Sequence, residues 1–69
     1  MEEELMKQRL HESYKQESVA LCDRLYRALS INKEEIASVF GGDIQKNYIK
    51  ATEEAMQQTR RTRNKINHL

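Results

Sequence analysis

Val39-Phe40-Gly41-Gly42-Asp43-Ile44 holds the only two glycines of a 69-residue chain that contains no proline. Glycine enters the left-handed backbone region without steric cost, and helices commonly end in that region. Asp43 is suited to cap a following helix by accepting from its first free backbone N–H groups. The capping box is incomplete, because the third helical position is Lys46, a cation at the positive end of the helix dipole. The stretch predicts a hinge that folds a helical chain back on itself, with one of the glycines at positive φ.

Upstream of the hinge, residues 2–29 have no helix breaker and are rich in Glu, Lys, Gln, Arg, Leu and Ala. At about 100° per residue, Leu10, Tyr14, Leu21, Leu25 and Ala28 fall within about 60° of one another. Leu29, Cys22, Tyr26 and Val19 widen this stripe to an arc of roughly 180°. Residues 1–12 carry few apolar positions on the arc and are expected to fray or to form a separate short helix. Ser30-Ile31-Asn32 reads as a break, since Asn32 can cap a new helix with Glu35 at its third position and Ile31 packing on Ile36. The expected short helix spans about residues 33–40.

Downstream, about residues 44–67 form one long helix. Tyr48, Thr52, Ala55, Thr59, Thr62, Ile66 and Leu69 recur at alternating spacings of four and three. The fold class is all-α: one domain, residues 1–69, built as an antiparallel helical hairpin with the short helix before the Gly41-Gly42 turn. Two arcs compete for the interior. The assignment taken has Leu21, Leu25 and Leu29 facing Ile44, Tyr48 and Ala55. It leaves Val19, Cys22 and Tyr26, with Ile49 and Met56, as the outward, partner-binding set.

Composition narrows the function. A chain this short buries only about 60% of its unfolded surface, so oligomerisation or a bound partner is the expected source of further stability. The single Cys22 cannot close an internal disulfide, and no Cys/His spacing suits a structural metal. The longest apolar run, Val19 to Cys22, is far too short to span a membrane. The acidic start Met1-Glu2-Glu3-Glu4 is unlike a secretory signal, and a cytoplasmic location is expected.

Catalysis finds no constellation. His11 and Cys22 would lie about 16 Å apart along one helix. Glu34-Glu35 and Glu53-Glu54 are sequence neighbours on different parts of a helix surface. Gly41-Gly42 lacks the Lys-Ser/Thr of a phosphate loop. The chain is expected to be no enzyme and to carry no cofactor.

The charge is +1 overall but uneven, with four bases and no acid in residues 55–69. This supports an alternative reading as a nucleic-acid-binding regulator. Residues 33–41 have the form of the first half of a helix-turn-helix, with Ala37 four residues before Gly41. Lys46, Lys50, Arg60, Arg61, Arg63 and Lys65 would then face phosphates. Gly42 and Asn47 stand where that motif prefers apolar residues, and Asp43, Glu53 and Glu54 repel phosphates.

A protein-binding module fits the thin core and over-wide arc better. Leu25, the Ala28-Leu29 pair, a polar stretch, Gly41-Gly42-Asp43, then Tyr48 on a long helix with Ala55, resembles the small co-chaperones of type III secretion needle subunits. The likeness covers about residues 18–66. It implies a cytoplasmic helical protein that binds a larger tetratricopeptide-like chaperone and helps keep a needle subunit from polymerising before export. Neither a membrane nor, outside the alternative, a nucleic acid is an expected partner; a homo-oligomer is compatible with it.

Overall fold

The computed structural model describes residues 2–69, in which helix α1 (Glu2–Ala37) and helix α2 (Gly42–Asn67) are joined by a tight turn and no strand occurs. At 1.5 Å per residue the helices are about 54 and about 39 Å long, and the molecule is a rod of 60 × 15 × 12 Å. Glu2, Glu3 and Glu4 occupy the first turn of α1, where carboxylates suit the helix dipole. Met1 lies outside the described residues.

The turn is built as the glycines require. The amides of Ser38, Val39 and Phe40 donate to the Glu34, Ile36 and Ala37 carbonyls at 2.9, 3.1 and 3.1 Å, which tightens the end of α1. Gly41 is extended (φ −120°, ψ 166°) and holds the N-cap position of α2 with no side-chain cap bond. Gly42 has φ +59°. The chain has reversed before Asp43, so Asp43 lies within the first turn of α2 and contributes charge there instead of capping. Phe40 folds back onto α2, its ring centroid 6.1 Å from that of Tyr48.

The break expected at Ser30-Ile31-Asn32 does not occur. Helix α1 runs through it, and the expected helix over residues 33–40 is the end of α1, finishing at Ala37. Ser, Ile and Asn each cost only a few tenths of a kcal/mol in a helix. A break would instead forfeit backbone hydrogen bonds worth about 1 kcal/mol each. The same continuity carries residues 2–12 as part of α1, not as a separate helix.

The helices run antiparallel. The residue numbers of the cross-pairs Tyr26–Arg60, Asp23–Arg63 and Lys33–Glu53 each total 86, so residue n of α1 lies level with residue 86 − n of α2. Lys15, whose Nζ donates to the Leu69 backbone oxygen at 3.2 Å, marks the far end of the contact. Residues 2–14 of α1 project past it by about 20 Å, and each of them is exposed.

Between the helices lies a seam of half-buried side chains: Val19, Cys22, Tyr26 and Leu29 on α1 against Tyr48, Ile49, Met56 and Ile66 on α2. Ala37, 1% exposed, and Thr52, 8% exposed, are the buried residues among those described. The threonines suit the seam because their hydroxyls are satisfied within α2. Thr52 Oγ1 donates to the Tyr48 carbonyl at 2.8 Å and Thr59 Oγ1 to the Ala55 carbonyl at 2.7 Å, leaving the methyl groups to pack.

A Cβ at either Gly41 or Gly42 would meet nothing within 4 Å, so the effect of adding one is conformational. Gly42→Ala is expected to cost about 1 kcal/mol, because φ is positive there. Gly41→Ala, in extended backbone, should be neutral or slightly stabilising. Urea denaturation followed by circular dichroism checks both, and equal effects would contradict Gly42 as the left-handed residue of the hinge.

Candidate functional site

The seam divides the hairpin surface into two unlike faces. Along one edge the helices are tied by polar contacts. Arg63 Nε donates to Asp23 Oδ1 at 3.0 Å, and Lys33 Nζ stands 3.4 Å from Glu53 Oε1. Arg60 donates to the Tyr26 hydroxyl at 3.1 Å, with its guanidinium carbon 4.8 Å from the centroid of the same ring. A shallow cleft of about 430 Å³ runs here, lined by Cys22, Asp23, Tyr26, Thr59, Arg60, Arg63 and Asn64. These are solvated contacts, each worth at most about 1 kcal/mol.

The opposite face carries no such ties. By helical rotation, Leu21, Leu25, Ala28 and Ile36 lie on the far side of α1 from Asp23, and Ile44, Ala51 and Ala55 on the corresponding side of α2. Leu21, Leu25 and Ile44 are 53%, 51% and 62% exposed. The α1 arc running Tyr14, Ser18, Leu21, Leu25, Ala28, Asn32, Ile36 contains no charged residue. Beside the larger Leu25 and Ile36 of α1, α2 offers the small, exposed side chains of Ala51 and Ala55.

This reverses the expected assignment of inside and outside. Of the residues expected to meet within the hairpin, only Leu29 and Tyr48 turn into the seam; Leu21, Leu25, Ile44 and Ala55 are exposed. Val19, Cys22, Tyr26, Ile49 and Met56, expected to face outward, line the seam and are half-buried. Rotation is fixed at the hinge. There the backbones come close, and the arc through Val19, Cys22, Tyr26, Leu29 and Lys33 ends on Ala37, whose methyl fits the gap. The other arc ends on Asn32 and Ile36, which remain exposed. The uncharged arc was legible as a run of positions without charge, a signal distinct from its count of leucines.

The six basic residues of the nucleic-acid alternative do not form one patch. Arg60 and Arg63 are engaged with Tyr26 and Asp23. Lys46, Lys50, Arg61 and Lys65 are exposed on the outer side of α2, where Glu53 and Glu54 are interleaved among them. An antiparallel hairpin also differs from a helix-turn-helix, whose helices cross at about 90–120°.

Among the described residues no group of three His, Cys, Asp or Glu side chains converges as a metal site would. His11 and Cys22 share the uninterrupted α1. No helix among the described residues is long and apolar enough to cross a membrane. Comparison with protein-family models, with curated proteins and with solved structures finds no match to the chain.

The two faces differ in what truncation should do. Ile49→Ala, in the seam, is expected to lower unfolding free energy by about 1–2 kcal/mol. Leu25→Ala, half in water already, should change it by less than about 0.5 kcal/mol. Chemical denaturation of the two variants measures this, and the opposite order would mean that Leu25 faces the interior.

Proposed function

We propose that this protein is a helical binding module without catalytic activity, and that it docks a helix of a partner protein on its uncharged face. The observation that supports the reading is the face itself: Leu25, Ala28 and Ile36 on α1 beside Ile44, Ala51 and Ala55 on α2. Large exposed side chains next to small ones suit a third helix packing along the first two. Covering Leu25, Ile36 and Ile44 would recover about 3 kcal/mol of apolar burial.

The specific form of the proposal is a co-chaperone of type III secretion needle subunits, working in the cytoplasm with a tetratricopeptide-like chaperone. It draws its support from the sequence resemblance, and the thin seam agrees with it. A hairpin with so little buried is marginal alone and gains from a partner. Binding stabilises the folded state by about 2.7 kcal/mol at a hundredfold excess over Kd. The activity would consist of covering an aggregation-prone helix, with no bond made or broken.

Leu25→Glu and Ala55→Glu are expected to abolish capture of the chaperone and needle subunit from a secreting bacterial host while leaving far-UV circular dichroism unchanged. Replacing Arg60, Arg61 and Arg63 by Gln should leave that capture largely intact. Retained binding by both glutamate variants would remove the proposed face. Tight binding of the wild-type protein to duplex DNA or RNA, lost on raising salt, would instead favour the nucleic-acid reading.

A further inference from the structure

The projecting part of α1 poses a separate problem. A lone helix of its length is marginal in water, yet it presents Leu10 and Tyr14 at 51% and 64% exposure. Glu3, Lys7, Leu10, Tyr14, Glu17 and Leu21 recur along α1 at spacings of four and three, and all six are exposed. They fall within about 80° of rotation, roughly 120° round α1 from the seam. Helix α2 therefore leaves the stripe clear.

We propose that this stripe is the interface of an antiparallel homodimer. Read backwards, its four central positions are complementary to themselves, while the outer pair sets Glu3 opposite Leu21. With position n of one copy opposite position 24 − n of the second, Leu10 meets Tyr14 twice over, and Lys7 meets Glu17 twice over. The apolar pairs lie at the centre and the ion pairs flank them. Glu3 comes level with Lys65 of the second copy, because Lys65 lies level with Leu21 in its own hairpin.

Charge also selects this arrangement over its rival. A parallel, in-register pair would set Lys7 against Lys7, Glu17 against Glu17 and Glu3 against Glu3. Within one copy neither Lys7 nor Glu17 is engaged, since the ion pairs found among the described residues use Lys15, Lys33 and Arg63. The contact would be about 27 Å long. Such a contact is small for a specific interface, so a weak, reversible dimer is expected. The stripe meets the uncharged arc at Tyr14 and Leu21. Lys7 and Glu17 lie outside that arc and Leu25, Ile36 and Ile44 lie outside the stripe, so substitutions at the two sets test the two surfaces independently.

Sedimentation equilibrium of the full chain under reducing conditions, from about 1 to about 200 μM at low ionic strength, tests the dimer. Wild-type protein is expected to show a reversible monomer–dimer equilibrium. Lys7→Glu and Glu17→Lys should each raise the dimer Kd by at least about tenfold, since each sets like charges together at two symmetric positions. The double variant Lys7→Glu/Glu17→Lys should return to within about threefold of wild type. Should a single variant lose helicity, the double variant still decides, because it carries the same residues with the charges exchanged. A wild-type monomer throughout the range overturns the proposal. So do single substitutions that leave Kd unchanged, or a double variant that does not recover.

Discussion

A side chain of one carbon, Ala37, sets the rotation of α1 about its own axis. The turn of Ser38 to Gly41 is too short to let the helices separate, so whatever stands at the last turn of α1 must fit between two backbones. Once the methyl of Ala37 is placed there, helical periodicity brings Lys33, Leu29, Tyr26, Cys22 and Val19 into the seam. The same rotation puts Asp23 beside Arg63 and turns Leu21 and Leu25 to solvent. The ion-paired edge and the uncharged face are two results of one steric condition at the hinge.

Much of this architecture could be read from the residues. Two adjacent glycines in a chain without proline leave one place for a turn, and Gly42 takes the left-handed conformation there. The long apolar periodicities on either side require helices. What the residues left open was rotation, because α1 carries two apolar arcs of similar weight and only the fit at the hinge distinguishes them. The break at Ser30-Ile31-Asn32 was misread for a related reason. A capping pattern describes how a helix could start, and no glycine or proline compels the preceding one to stop. The uncharged face was partly legible, in the absence of charge along one arc of α1, but its α2 half required the antiparallel register.

The threonines of α2 show how a thin seam accommodates hydroxyl groups. In a helix interior a hydroxyl competes with the backbone, and at a helix–helix contact it would otherwise need a partner from across the interface. Thr52 and Thr59 return theirs to carbonyls one turn earlier. The result is a contact narrow enough for the backbones to approach and weak in apolar area. That weakness leaves the molecule sensitive to whatever covers its outer surfaces.

The antiparallel register also orders the folding of the chain in time. The Phe40–Tyr48 contact closes a loop of about 8 residues, whereas Asp23–Arg63 spans 40 and Lys15–Leu69 spans 54. Chain-closure entropy makes the widest of these about 1.7 kcal/mol harder to form from an open chain than the narrowest. Contacts made near the hinge shorten the loop that each later contact must close, so the helices zip from Gly42 outward. Opening runs the other way, starting at the end where α1 projects beyond α2.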